Sequence, residues 1–293
     1  MVSSAFPYTG HFLWRGSHRL HYIDEGNGPP IVMVHGNPTW SYYYRRLIAA
    51  LSDRYRVIAI DHMGCGRSDR PDDSEYDYRL ANRVADLTAL LDHLGLDRDI
   101  TMVVHDWGGM IGMGYATQHP ERIGRLVILN TAAFHLPADK RFPLSLRLAR
   151  APGLGALLVR GANLFCWSVS HFGCRRRLIG DAVREQFLAP YQSWAARRAV
   201  HRFVEDIPLK PSDPSYALVS EVERGLERLR HVPMQIFWGA RDFVFDDAVL
   251  RRWIAHFPTA RVRRFVDCGH FVLEDAFEEI LPELTTFLEL PAN

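Results

Sequence analysis

The sequence predicts an α/β fold: a mostly parallel sheet flanked by helices, with a helical cap inserted after the sixth strand. Three observations point to it. Short continuous apolar runs such as "PPIVMVHG" (29–36) and "ITMVVHD" (100–106) have the pattern of strands buried on both faces. Helical patterns alternate with them, as βαβ units require. The alternation stops once, from about residue 134 to about 213, where only helices and loops can be read.

Each element follows in order. "HFLWRGSHRLHYIDEG" (11–26) alternates and turns at Gly16-Ser17, which predicts a hairpin on a sheet edge. The strand 29–36 leads into a helix, "WSYYYRRLIAALSDR". "YRVIAID" is the next strand and ends in the glycine turn "HMGCGRSD". "YDYRLANRVADLTALLDHLGL" is amphipathic with a glycine stop. Strand 100–106, helix "GGMIGMGYATQH" and strand "IGRLVILNTA" complete the first half. Met110 and Met113 fit helix core spacing. "PLSLRLAR", "LGALLVRGANLFCWSVS", "GDAVREQFLAP" and "QSWAARRAVHRFVEDI" read as cap helices. "VPMQIFWGARD", "DDAVLRRWIAHF", "ARVRRFVDCGH" and "LEDAFEEILPELTTFLEL" restore strand, helix, strand and helix. The expected division is a core of 1–133 and 214–293 and a cap of 134–213.

Composition narrows the function classes. Hydrophobic residues are 47% and charged residues 24%, ordinary for a soluble globular chain. A net charge of +1 provides no field for nucleic acid, and "CRRR" (174–177) reads as a solvated loop or helix end. Cys65, Cys166, Cys174 and Cys268 form no CxxC pair, which argues against a zinc knuckle or redox pair and for a reduced, cytoplasmic chain. The start "MVSSAFPYTGHFLW" lacks the pattern of a signal peptide. No run of about 18 apolar residues would span a membrane.

In parallel sheets ligands collect at the carboxyl ends of strands. Four segments lie there: His35-Gly36-Asn37-Pro38, Asp106, Asp242 and His270. An aspartate between His105 and Trp107 is a costly helix cap, so Asp106 is read as a nucleophile that forms an ester with an electrophilic carbon. Backbone N–H groups beside it and in the loop after the first parallel strand can stabilise an oxyanion. His270 can activate water, with Asp242 holding its ring. Asp246 begins a helix and reads as its cap. His35 and His105 read as buried support for the site. Cys268 reads as packing and His62 as a surface residue. The "MGCGRSD" turn has the wrong spacing for a phosphate cradle and could be held by Arg67 and Asp69. Simpler readings stand beside these: Asn37 as a turn residue before Pro38, Trp107 as core.

The order nucleophile, acid, histidine resembles the α/β-hydrolase superfamily. Its elbow G-x-S-x-G is here Val104-His105-Asp106-Trp107-Gly108, with Asp for Ser and Val for the first Gly. The Asp resembles the branch of haloalkane dehalogenases and epoxide hydrolases, and Asp-Trp with His-Gly-Asn-Pro resembles the dehalogenases more. The resemblance implies that the Asn37 amide and Trp107 indole hold a leaving anion, with Trp167 a second, cap-borne indole; Trp194 and Phe165 are rival cap aromatics. Epoxide hydrolases need two cap tyrosines, for which Tyr191 is a candidate and Tyr216 lies only at the cap's exit. Some dehalogenases place the acid after the strand ending "VILN"; Asn130 stands there, which leaves the role to Asp242.

Within the branch, "HGNPTWSYYYR", "DHMGCGRSD", "VVHDWGGMIGMGYA", "RLVILNTAAFHLP" and "DFVFDDAVL" resemble the β-lactone decarboxylases of bacterial long-chain olefin biosynthesis. That resemblance implies conversion of cis-3-alkyl-4-alkyloxetan-2-ones to cis-alkenes and carbon dioxide. It also implies a complex with a β-lactone synthetase and other pathway enzymes, in a membrane-associated or large soluble assembly. The apolar stretch 154–167 could line a channel for alkyl chains. The alternatives are hydrolysis of a haloalkane, epoxide or ester by the same residues, or a non-catalytic binding protein on the same scaffold. No metal site and no cofactor are expected.

Overall fold

The computed structural model describes residues 6–137 and 140–290; five residues of the expected core's start, two of the expected cap and 291–293 lie outside them. The strands are β1 (His11–Arg15), β2 (His18–Glu25), β3 (Pro30–Val34), β4 (Arg56–Ile60), β5 (Ile100–Asp106), β6 (Ile123–Thr131), β7 (Met234–Gly239) and β8 (Arg261–Phe265). They form one sheet in the order β1-β2-β4-β3-β5-β6-β7-β8. β1 and β2 are the expected edge hairpin, antiparallel to each other and to β4. All other pairings are parallel.

Alternate residues of each central strand feed opposite layers. Val32, Val34, Ile58, Ile60, Met102 and Val104 pack on one face. Ile31, Met33, Val57, Ala59 and Val103 pack on the other. Burial on both faces explains why these strands read as continuous apolar runs. β8 departs from the pattern: its first four residues are exposed, and three are arginines. Charge on this edge discourages pairing with another sheet.

The helices of the first half are α1 (Arg45–Leu51), α2 (Leu80–His93) and α3 (Trp107–Gln118). The helix expected from residue 40 opens instead as a 3-10 turn, Ser41–Tyr44, and becomes α-helical only at Arg45. All four turn residues are buried, so packing of the three tyrosines outweighs the helical pattern. From β3 the chain moves outward to β4 and then crosses back to β5 on the other side of β3. Such a reversal opens a crevice at the strands' carboxyl ends, and the loops after β3 and β5 meet there.

Between β6 and β7 the described residues form no strand. They form α4 (Leu144–Arg150), α5 (Leu154–Ala156, continued by a π turn over Leu157–Gly161), α6 (Leu164–Phe172), α7 (Asp181–Leu188), α8 (Arg198–Glu205) and α9 (Tyr216–Gly225). The helical insertion thus follows the sixth strand. α10 (Asp247–His256) and α11 (Val272–Leu288) close the chain. The basic run 175–177 is exposed but not merely solvated. The Asp275 carboxylate accepts the backbone N–H of Arg175 (2.9 Å) and Arg176 (3.2 Å). Arg176 pairs with Asp267 and Glu279, and Arg177 with Glu278. The run therefore clamps the insertion to α11.

The valine that replaces the elbow's first glycine is accommodated from α3. A Cβ on Gly112 would lie 2.6 Å from Val104 Cγ1, so the missing side chain at 112 supplies the room that Val104 takes. Gly112→Ala is expected to destabilise by about 1–3 kcal/mol through overpacking. Adding Val104→Gly should relieve most of that overpacking strain, read as a coupling in a double-mutant cycle of denaturant melts.

Candidate active site

Asp106 ends β5 with φ 50° and ψ −125°. A non-glycine residue there carries about 1–3 kcal/mol of strain, and the turn is tightly held around it. A Cβ on Gly108 would sit 1.9 Å from the Val34 carbonyl oxygen, and one on Gly36 would sit 2.1 Å from Asp106 Oδ1. Only glycine lets the helix start and the loop after β3 approach this closely. Thr131 Oγ1 donates to the Asp106 carbonyl and steadies the turn from β6.

The two carboxylate oxygens of Asp106 have different surroundings. Oδ1 accepts the Asn37 backbone N–H at 2.6 Å, and the Trp107 N–H also bonds this carboxylate. Oδ2 lies 3.8 Å from His270 Nε2. One oxygen is anchored by backbone and the other faces the imidazole. Burial pushes the Asp106 pKa up, and the charged His270 and the two N–H groups only partly offset it.

His270 Nδ1 lies 2.8 Å from Asp242 Oδ2. Burial alone would lower the imidazole's pKa; the Asp242 charge and hydrogen bond, with Asp106 beyond, outweigh it and leave the pKa raised. Asp242 is held in turn. Its Oδ1 accepts the Val244 N–H at 2.7 Å, and its Oδ2 accepts Asn130 Nδ2 at 3.1 Å. Asn130 spans to β7 with both ends of its amide, donating to the Gly239 carbonyl (3.0 Å) and accepting the Gly239 N–H (2.8 Å). Asp106, His270 and Asp242, from the ends of β5, β8 and β7, thus meet in one chain of contacts.

Strand-turn-helix, an anchored carboxylate and the order Asp, Asp, His match a known fold. A model of the alpha/beta hydrolase fold family matches residues 29–277. The chain belongs to the α/β-hydrolase family. The cis-3-alkyl-4-alkyloxetan-2-one decarboxylase of Shewanella oneidensis is 53% identical over 288 residues, which cover 98% of this hydrolase-fold chain and 91% of that protein. The decarboxylase of the same name from Xanthomonas campestris pv. campestris is 44% identical over 277 residues, 92% of each chain. The crystal structure of the haloalkane dehalogenase DatA from Agrobacterium tumefaciens C58 superimposes with a TM-score of 0.86 at 25% identity, covering 97% of this chain and 98% of that one. This α/β-hydrolase therefore lies in the haloalkane-dehalogenase-like branch, where chains named as decarboxylases are its high-identity relatives.

Around Asp106, His270 and Asp242, buried histidines brace the backbone. His35 Nδ1 donates to the Gly36 carbonyl (2.7 Å) and its Nε2 accepts the His62 N–H (3.1 Å). Burial lowers the His35 pKa to about 4, which keeps this tautomer neutral. His105 Nε2 donates to the His270 carbonyl at 2.9 Å, and its ring stacks on Tyr43. Burial also holds His105 well below the ordinary value. His62, expected on the surface, is buried and donates from Nε2 to the His35 carbonyl at 2.9 Å. The reason is Asp61, which the sequence reading passed over. Its buried carboxylate accepts the N–H of Ser41 and of Arg67 and pairs with His21. That folds the glycine turn inward; Asp69 pairs with Arg19 instead of Arg67. A carboxylate closing a buried strand, as at Asp106, was the available signal.

A cleft opens over Asp106, Asn37, Trp107 and His270. Its walls are largely apolar: Met110, Leu146, Phe165, Val204, Ile207 and Phe245 contribute from core and insertion. His135 and Lys140 add polar groups that sequence reasoning did not single out. Both are already engaged, His135 with Ser220 and Lys140 with Asp246. Asp246 caps α10 as expected, accepting the Ala248 N–H.

The groups expected to hold an anion are less uniform. The Trp107 indole N–H has no acceptor among the described residues and its side chain lines the cleft. The Asn37 side chain reaches the cleft, but Nδ2 donates to the Val200 carbonyl of α8 at 3.0 Å. Only one of its two amide hydrogens is so used, and Oδ1 is buried without a partner. Trp167 does not line the cleft. It is 47% exposed and stacks on His171, while Phe165 on the same helix faces inward. α6 is apolar on both sides, so spacing alone could not tell which aromatic turns in. Trp194 is also exposed. Tyr191, a cap phenol an epoxide hydrolase would use, donates to the Thr39 carbonyl (3.0 Å) and lies outside the cleft wall. Tyr216 stacks on His135.

Proposed function

We propose that this protein is a β-lactone decarboxylase that converts cis-3-alkyl-4-alkyloxetan-2-ones to cis-alkenes and carbon dioxide, with Asp106 as nucleophile. The observation that carries this reading is an anchored, buried carboxylate at the floor of an apolar cleft, in a chain 53% identical to a decarboxylase of that name. Two alkyl chains need aliphatic and aromatic walls, and the cleft supplies both.

Asp106 Oδ2 attacks the ring carbon that bears oxygen, with inversion. The carbon–oxygen bond breaks, and its electron pair goes to the new carboxylate. The Trp107 indole and the remaining Asn37 amide hydrogen receive that charge. The carbon–carboxylate bond then breaks, carbon dioxide leaves, its electron pair forms the double bond, and Asp106 is expelled. Anti elimination after inversion retains the cis relation of the alkyl groups. The backbone N–H groups at Asp106 stabilise the carboxylate as it is released, so the cradle that anchors the nucleophile also makes it a leaving group. In this route His270 activates no water; it balances charge on Asp106, and Asp242 and Asn130 hold it in place. A second route, attack at the lactone carbonyl through a mixed anhydride, uses the same residues. A non-decarboxylating lactone analogue distinguishes an alkyl ester on Asp106 from an acyl anhydride.

The dehalogenase reading uses the same triad, with halide in place of carboxylate and His270 activating water. The turning away of Trp167 favours the lactone, because it removes the second, insertion-borne indole that the resemblance implied for halide. We expect alkene in the headspace from a synthetic cis-β-lactone and no halide from 1-haloalkanes. Rapid halide release without alkene would reverse the assignment. A lactone of this kind has to be made by closure of a β-hydroxy acid, and direct hand-over of so apolar a product supports an assembly with a β-lactone synthetase. Among the described residues no helix is long and apolar enough to cross a membrane.

A further inference from the structure

The insertion is apolar on its outside as well as its inside. Among the described residues fifteen large apolar side chains are exposed, and nine of them lie between residues 144 and 194. They follow helical spacing: Leu144 and Leu148 on α4, Leu154 and Leu157 on α5 and its π turn, Leu164 and Trp167 on α6. Leu144 is 66% and Leu157 61% exposed. These three helices are consecutive and pack on one another. Their inner sides bear Leu146, Phe165 and Val169, which line the cleft. Exposed leucines and a tryptophan interleaved with arginines, on helices whose other side is buried, are the pattern of an interfacial surface.

Charge chooses between the occupants. From Lys140 to Gly180 the sequence has eight basic residues and no acidic one. Lys140, Arg150, Arg176 and Arg177 are paired to acids from elsewhere in the chain. Arg141 and Arg147 are exposed beside the leucines and have no ion pair among the described residues. A second copy of the chain would set this basic face against itself. An anionic bilayer offers headgroups to the arginines and acyl chains to the leucines and Trp167.

We infer that the outer face of α4 to α6 docks the protein on an anionic lipid surface. The inference does not depend on the reaction assigned above. It places the wall of the cleft against the phase in which long-chain apolar compounds dissolve.

The test is flotation of the full chain with vesicles of phosphatidylcholine containing phosphatidylglycerol, against phosphatidylcholine alone. The protein is expected to float with the first and not the second, and to be released by about 0.5 M salt. Leu154→Ser with Leu157→Ser, and separately Arg147→Glu, should each weaken retention by about tenfold at unchanged melting temperature. Asp106→Ala should float like wild type, which separates this result from any failure of the proposed chemistry. No retention on anionic vesicles, or equal retention of the variants, overturns the inference. Light scattering that shows an oligomer dispersed by the leucine substitutions, without vesicle binding, assigns the face to a second copy and overturns it too.

Discussion

Asp106→Ala is expected to abolish turnover, with a loss of at least about 10⁴-fold, because no other carboxylate stands where Oδ2 does. The same substitution should raise the melting temperature. Burial holds the Asp106 pKa above the ordinary aspartate value, so the folded protein works against this charge at neutral pH, and removing it relieves that cost while leaving the strained backbone as it is. The partner substitution, His270→Ala, distinguishes the two chemistries. Hydrolysis of an ester on Asp106 needs an activated water, so a dehalogenase should stall as a covalent adduct visible as a mass increase on the intact protein. Loss of carbon dioxide from the same ester needs no water. A decarboxylase should therefore still release alkene, slowed by the loss of a charge partner 3.8 Å from the nucleophile. A stable adduct from a cis-β-lactone, with no alkene, would refute the proposed second step.

The parts of this site that were legible in the sequence share one physical property: they lie where a buried strand stops. Continuous apolar runs mark such strands, and a polar residue at the end of one is conspicuous. Asp106, Asp242, His270 and the His35 loop were found that way. Asp242 was also distinguished by the amide at Asn130, and the structure gives that amide a task of its own. What was not legible depends on which side of an element faces inward. The glycine turn after β4 gives no periodicity, so the burial of His62 was marked only by Asp61, the carboxylate that closes the strand before it. On α6 both faces are apolar, so Trp167 and Phe165 could be ordered only by tertiary packing. The Val104 mismatch to the elbow motif is resolved eight residues later, at Gly112, across a helix-strand contact that no local pattern records.

Asp242→Asn is expected to reduce kcat/KM by roughly 10³–10⁴-fold. An amide at 242 still reaches His270 Nδ1, but it removes the charge and permits the wrong tautomer. The effect on stability has a definite sign. The His270 pKa is raised in the fold by Asp242 and Asp106 against burial. The stabilisation is therefore complete below the unfolded histidine value of about 6.5 and is lost as pH rises through the folded value. Denaturant melts should show the widest gap between wild type and Asp242→Asn in mild acid, narrowing at higher pH. Adding Asn130→Asp to that variant returns a carboxylate to the site, though not a working one. The new Oδ1 keeps the Gly239 N–H, but its second oxygen faces the Gly239 carbonyl 3.0 Å from where Asn130 Nδ2 now donates. Two acceptors opposed in a buried site cost about 1–3 kcal/mol, so the double variant should recover less than about a tenth of wild-type kcat/KM. Full recovery would mean that any nearby negative charge suffices, and that the hydrogen-bonded frame linking Asn130, Gly239 and Asp242 contributes nothing to orienting His270.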